Sequence, residues 1–216
     1  MKKIGIIHTT SATIASLNAL AREIIGEVEI INILDDSILK DMREGHEVEF
    51  VRERWIEYAK TLQRLGVDAV LSACSTVGGF AEEANEILSV PVYRIDEAMC
   101  ERAVETGSRI SVFATLQSTL DPTVDLVRRK ADAAGRGVNI SVNLVEGAYA
   151  FLMEGNKEEH DKRIRDAVMD VLDETDVVLL AQASMASALE GDAEMSSKIL
   201  TSPKLGIERL KENLGG

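Results

Sequence analysis

The sequence predicts an α/β fold of two similar lobes, each a mainly parallel four-stranded sheet flanked by helices, related by a pseudo-twofold axis with a cleft between them. Three observations lead there. Short β-branched runs alternate with longer amphipathic segments along all 216 residues, the pattern of parallel strands covered on both faces by crossover helices. Two of those runs recur: Lys3–Thr9 aligns with Arg109–Thr115 at an offset of 106, and Asp68–Cys74 aligns with Asp176–Gln182 at an offset of 108. No Pro/Gly/Ser-rich linker separates the halves, so close packing of the two lobes is expected.

Taken in order, strands are expected at Lys3–His8, Val28–Leu34, Asp68–Cys74, Val90–Ile95, Arg109–Thr115, Val138–Val145 and Asp176–Ala181. Amphipathic helices such as Phe50–Leu65 and His160–Leu172 lie between them. Gly66, Gly107 and Gly135 close helical patterns just before strands, where C-terminal caps belong. The first lobe is expected to comprise residues 1–97 with 198–216, and the second residues 98–197.

Composition narrows the function. Hydrophobic residues are 45% and charged residues 28% of the chain, enough for a buried core and unlike a disordered segment. Thirty-seven acidic against 24 basic residues give a net charge of −13, a field that repels phosphate backbones and anionic lipid, so neither nucleic acid nor membrane is an expected partner. Two cysteines 26 positions apart make no disulfide framework and too few ligands for a structural zinc site, and they suit a reducing compartment. The uncharged stretch 4–21 after Met1-Lys2-Lys3 imitates a secretory signal, but His8-Thr9-Thr10-Ser11 interrupt its apolar core. No apolar run approaches the roughly 20 residues of a membrane span, and a cytoplasmic location is expected.

Ligands of open α/β sheets bind beyond the carboxyl ends of strands. That directs attention to four loops, Thr9–Thr13, Cys74–Gly79, Thr115–Thr119 and Gln182–Ser187, expected to surround one cleft. All are rich in small hydroxyl side chains and each precedes a helical pattern, where free backbone N–H groups point outward. Hydroxyls and amides without Arg or Lys suit a small carboxylate, and helix capping accounts for about one hydroxyl per loop. Without a Walker lysine or a Gly-x-Gly-x-x-Gly run, no nucleotide is expected. Cys74 ends a buried strand and opens a loop into a helix, a setting that favours thiolate; from its position alone, catalytic and structural readings both stand. Cys100 lies within a helical pattern as a small hydrophobe. His8 is read as a strand-end structural residue, His46 as solvated and His160 as part of a helix's first turn. No two histidines have metal-site spacing, and Asp35-Asp36 and Glu158-Glu159 are read as solvated faces.

Taken together, Ala73-Cys74-Ser75-Thr76 after a buried strand, Pro91-Val92 followed by Ile95-Asp96-Glu97-Ala98-Met99, Arg109–Thr115 with Ser118-Thr119, Glu146-Gly147-Ala148 with Gly155 and His160-Asp161, and Leu180-Ala181-Gln182-Ala183-Ser184-Met185 give the chain a resemblance to the aspartate/glutamate/hydantoin racemase superfamily. The resemblance implies two α/β lobes with the active site between them, no cofactor, and a homodimer. It also implies removal of a proton from a carbon next to a carboxylate or amide, one thiolate abstracting while a second thiol supplies a proton from the far face. Cys74 matches the catalytic position. Ser75, Thr76, Thr115, Ser118 and Thr119 match positions that hold the substrate carboxylate, and Ser11 and Ser184 join them. Gln182 stands where the second cysteine is expected and is grouped with the substrate-binding residues, since an amide does not exchange protons as a thiol does. Three readings follow: a racemase or epimerase of an amino acid or derivative, a one-cysteine decarboxylase or cis–trans isomerase of a small dicarboxylate, and a non-catalytic carboxylate-binding protein.

Overall fold

A computed structural model describes residues 1–45, 47–189 and 197–215, so His46 lies outside the described residues. The chain divides into two compact units, Met1–Asp96 with Pro203–Gly216, and Glu97–Ser202.

The first unit carries β1 (Lys2–His8), β2 (Val28–Leu34), β3 (Ala69–Ser72) and β4 (Val92–Arg94) in the order β2-β1-β3-β4, all pairs parallel. Its helices are α1 (Ile14–Ile25), α2 (Ser37–Glu44), α3 (Val48–Arg64), α4 (Gly78–Ile87) and, after the second unit, α9 (Ser202–Leu214). The central strands are apolar on both faces because helices cover both. Ile7 and Val70 pack with Trp55, Ile56, Leu62 and Ala81, whereas Ile4, Ile6 and Leu71 pack with Leu17, Ala21, Ile207 and Leu210. Each fully buried Ile or Leu contributes roughly 1.5–3 kcal/mol. Gly66 ends α3 with φ +74, a left-handed cap.

The second unit carries β5 (Arg109–Ala114), β6 (Asn139–Leu144), β7 (Val177–Leu180) and β8 (Ile199–Thr201) in the order β6-β5-β7-β8, again all parallel. Its helices are α5 (Glu97–Thr106), α6 (Gln117–Ala133), α7 (Ala148–Met153) and α8 (Lys157–Met169). Phe113, Val178 and Leu180 pack with Ala148, Ile164, Val168 and Met185. The internal repeat is present in the register itself. Ile4 pairs with Ala69 in the first sheet and Ile110 with Val177 in the second, the residues that the two sequence offsets equate. The starts of both sheets are tied alike, Lys3 N–H donating to Asp68 Oδ2 at 2.7 Å and Arg109 N–H to Asp176 Oδ2 at 2.9 Å.

Three details differ from the sequence reading. Residues 199–201, where no strand was expected, form β8 against β7, so the chain returns to the first unit at Pro203 and not at 198. Gly107 follows α5 as expected but is absent from the positive-φ glycines; a Cβ there would lie 2.5 Å from Asp176 Cβ, so close approach is what requires it. Asp35 is no solvated acid. It accepts hydrogen bonds from Ser37 Oγ at 2.6 Å and Tyr58 Oη at 2.8 Å and pairs with Arg54 at 3.0 Å. Partial burial raises its pKa, but Ser37, Tyr58 and Arg54 outweigh this and hold it below the usual carboxylate range. No helix among the described residues is long and apolar enough to cross a membrane.

Candidate active site

In each sheet the strand order reverses at one point, between β1 and β3 and between β5 and β7. At such a point the loops leaving the carboxyl ends diverge and open a crevice. Ala73 N–H donates to Ile7 O at 3.0 Å across the first and Ala181 N–H to Phe113 O at 2.9 Å across the second. Thr9 and Cys74 therefore hold the backbone positions in the first unit that Thr115 and Gln182 hold in the second.

Cys74 has extended backbone (φ −135, ψ 120) and leads a 3-10 turn, Ser75–Val77, which runs into α4 at Gly78. Its side chain is half-buried against the apolar cluster of Ile7 and Trp55, and Ser75 and Thr76 are buried beside it. Neither cysteine is in a disulfide, and Cys100 is buried within α5. Thr9 is 4% exposed, and neither its amide nor its hydroxyl has a hydrogen-bond partner among the described residues. Ser11, exposed, begins the 3-10 turn that follows.

Two buried residues brace this crevice. His8 Nδ1 lies 3.0 Å from Thr13 Oγ1 and Nε2 lies 2.9 Å from Asn32 Oδ1. Burial lowers the His8 pKa and the Asn32 contact only partly offsets that. The neutral ring donates from Nε2 to Asn32 and accepts from Thr13, the structural role expected of it. Arg94 comes from β4, not from a strand-end loop. Its Nε and Nη2 each reach Asp96 at 2.9 Å and its Nη1 reaches Glu82 at 2.6 Å. Burial acts to lower its pKa and Asp96 and Glu82 outweigh it, keeping the guanidinium charged. A Cβ on Gly78 would lie 2.3 Å from Arg94 Cζ, so the guanidinium rests on the first residue of α4. Arg94 ends β4 and Asp96 lies in the turn that follows, with buried Ile95 between them; opposite charges flanking one apolar residue are the sequence signal by which the pair could have been found.

In the second crevice Thr115, buried, donates from its amide to Gln182 Oε1 at 2.6 Å and from Oγ1 to the same oxygen at 2.8 Å. Gln182 is half-buried, and its Nε2 has no hydrogen-bond partner among the described residues. Ser118 lies in the first turn of α6, its Oγ buried and without a hydrogen-bond partner among the described residues, and Thr119 beside it is buried. The 3-10 segment Ala183–Leu189 contains Ser184, half-buried, and starts with Met185 N–H donating to Gln182 O at 3.0 Å. Helix α8 holds that segment: Ser187 Oγ reaches Asp161 Oδ2 at 3.3 Å, and Arg165 donates twice to Ala188 O at 3.2 and 2.9 Å. Asp161 also accepts from Lys157 and lies 2.7 Å from Nδ1 of the fully buried His160. Partial burial raises the Asp161 pKa, and Lys157 and His160 bring it below the ordinary range. His160 thus sits in the first turn of α8, as expected, but within a polar cluster that the sequence did not reveal.

The sequence-predicted residues fall into two groups. Cys74, Ser75, Thr76 and Ser11 stand at the carboxyl edge of the first sheet, and Thr115, Ser118, Thr119, Gln182 and Ser184 at that of the second. Thr115 and Gln182 meet directly. Capping accounts for less of the hydroxyl content than expected: Thr10 caps its turn through Ala12 N–H at 3.3 Å, whereas the positions before the Cys74 turn, α4 and α6 make no side-chain capping bond. Among the described residues no three His, Cys, Asp or Glu side chains converge as a metal site requires.

Comparison with known proteins places the arrangement. A family model described as Asp/Glu/Hydantoin racemase matches residues 4–210. No curated protein matches the chain. Among solved structures, the aspartate racemase of Picrophilus torridus superposes with a TM-score of 0.78 at 13% identity, covering 100% of this chain and 95% of that one. Allantoin racemase from Klebsiella pneumoniae gives 0.71 at 18% identity, covering 100% and 88%. Glutamate racemase from Francisella tularensis in complex with D-glutamate gives 0.73 at 15% identity, covering 99% and 81%. At these identities the likeness is one of fold.

Proposed function

Because the chain belongs to the Asp/Glu/Hydantoin racemase family, we propose that it is a cofactor-independent, racemase-type isomerase acting on an amino acid or derivative, with Cys74 as the base. The observation that carries this reading is the placement of Cys74 at the strand-order reversal, half-buried, across from the open amide and hydroxyl of Thr9. The Cys74 thiolate takes the proton on the carbon next to the carboxylate. The electron pair left behind spreads onto the carboxylate oxygens, and N–H and O–H donors of the Thr9 and Ser75–Thr76 segments hold the growing charge. Return of that proton, or of one exchanged with solvent, to the same face gives α-exchange alone; delivery of a proton to the opposite face, by water or a substrate group, completes an isomerisation. The reading includes a small carboxylate as substrate, a homodimer and a cytoplasmic location.

One observation favours a single working base. The position equivalent to Cys74 is Gln182, whose amide neither gives nor takes a proton at neutral pH and whose oxygen is engaged by Thr115. Two-thiol inversion does not fit that residue; one-thiol exchange, with a water or substrate group serving the other face, does, and so does one-thiol decarboxylation. The deciding experiment is proton NMR in heavy water with amino acids, hydantoins and small dicarboxylates, on wild type and Cys74→Ser. Deuterium is expected to enter the α-position, and Cys74→Ser to slow it by roughly 10²–10⁴-fold. Exchange that ignores the substitution, or no exchange with any compound, defeats the proposal; release of carbon dioxide selects decarboxylation.

A further inference from the structure

The second sheet leaves one edge open. β6 pairs with β5 alone, and the amides of Asn139 and Val145 donate to Ser108 O and Ala114 O on that side at 2.7 and 2.8 Å. Along a strand the backbone groups of alternate residues point the same way. Those of the even-numbered residues, Ile140, Val142 and Leu144, therefore point away from the sheet. Such a row is a template for another strand, and proteins usually blunt it with charge, proline or a cover. β6 has none of these. Residues 137–145 contain no charged side chain and no proline in a chain that is 28% charged. Most of β6 is exposed, Val142 at 48% and Leu144 at 38%.

We propose that the occupant of this edge is β6 of a second copy, paired antiparallel about a twofold axis at Val142, so that two four-stranded sheets join edge to edge. A twofold pair requires a strand complementary to itself, and β6 is. Centred on Val142, the pairing sets Ile140 against the partner's Leu144 and Ser141 against the partner's Asn143, apolar with apolar on one face and polar with polar on the other. All three outward-pointing residues then exchange backbone hydrogen bonds. Charge agrees. Arg136 and Glu146 flank the uncharged run; both are exposed and neither is in an ion pair among the described residues, the Arg136 guanidinium donating to Glu105 O at 2.9 Å. The pairing places Arg136 diagonal to the partner's Glu146 at both ends of the contact. β2, the edge strand in the equivalent place of the first sheet, is built the other way. It contains Glu29, and the same operation about its centre would set Glu27 against the partner's Asp35, acid against acid. One edge accepts a copy of itself and the other refuses it.

This pairing gives the homodimer named above its surface and rests on that part of the reading alone; no step of the chemistry enters. Sedimentation velocity on wild type, Val142→Pro and Val142→Lys tests it. Proline at 142 removes an amide that points off the sheet and none that holds β6 to β5, and lysine sets two cations against each other on the axis. The wild type is expected to sediment as a dimer. In both variants the dimer dissociation constant is expected to rise by about a hundredfold or more, with the circular dichroism of the wild type retained. Register is read with Val142→Cys in a Cys74→Ser background. Residues paired across the axis lie about 5.5 Å apart at Cα, within disulfide range, so oxidised glutathione is expected to link two copies. Met169→Cys in the same background, exposed on α8, is expected to stay unlinked. A monomeric wild type overturns both the homodimer and this surface. A dimer that survives folded Val142→Pro and Val142→Lys, or that Val142→Cys does not link, overturns this surface and leaves the homodimer standing at another.

Discussion

At the carboxyl ends of β1 and β3 the chain leaves the amide and hydroxyl of Thr9 open beside a thiol; at the ends of β5 and β7 the same backbone positions close on each other through Thr115 and Gln182. The two regions have the same strand order, the same register and the same tie across the reversal. Backbone geometry is dictated by apolar residues on both faces of the central strands, and these agree between the halves. The chemistry depends on one side chain at each strand end, and these differ. A duplicated fold can thus keep two crevices while only one retains a reactive group. The surroundings differ as well. The first crevice is braced by the buried pair Arg94 and Asp96, with the more exposed Glu82 on Arg94, and the second by hydrogen bonds from α8 to the segment carrying Ser184.

The largest effect expected from breaking this contrast comes from Arg94→Met. It strands Asp96, which is fully buried, without a counter-charge, and loss of one partner of a buried pair costs about 3–5 kcal/mol. Urea denaturation measures it, and a loss under about 1 kcal/mol would mean that the pair does not brace the first crevice. A smaller, paired effect sharpens the comparison. Thr115→Val removes one donor to Gln182 and is expected to cost about 0.5–1.5 kcal/mol, whereas Thr9→Val removes a hydroxyl with no partner among the described residues and is expected to cost less than its counterpart. Equal losses would show that the two positions do not differ as described. The smallest effect at neutral pH is that of His8. Its folded pKa lies below the unfolded value of 6.5, so the unfolded chain binds the proton first. Stability is full above that pH and is lost as the pH falls from there through the lowered folded value. Denaturation from pH 7.5 down to pH 5 is expected to show this decline in wild type and a weaker one in His8→Asn.

Much of the fold was legible because its signal is periodic and local. Seven of the strands, the crossover helices and the repeat could be read from β-branched runs and from Lys3–Thr9 matching Arg109–Thr115. β8 could not: Ile199–Thr201 is three residues long and carries no alternation that separates it from a loop. The placement of a candidate residue was legible where one residue type after one strand suffices, as Cys74 follows β3 at the strand-order reversal. It was not legible where function depends on which side chains meet. Thr115 and Gln182 lie 67 residues apart, and nothing in their local sequence states that an amide oxygen reaches two donors on the neighbouring strand. Thr9 and Ser11 look alike in sequence because both are small hydroxyl residues in one loop, and burial distinguishes them only after folding. Asp35 looked like one of many surface acids because its partners, Tyr58 and Arg54, are a helix away.

Helix α9 has a consequence for how the molecule is made. Ile207, Leu210 and Leu214 complete an apolar cluster whose other members, Ile4, Leu17 and Leu71, lie near the start of the chain. Gly206 lets α9 approach so closely that a Cβ there would lie 2.5 Å from Ile95 O. On the ribosome, where chains grow from the N-terminus, the first sheet therefore emerges long before the helix that completes the cover of one of its faces. The intervening unit, contiguous from Glu97 to Ser202, has all its parts before that helix exists. The portion synthesised first is the last to be finished, and throughout that interval the nascent chain carries an apolar sheet face that α1 covers only in part and that chaperones, or other nascent chains, can find.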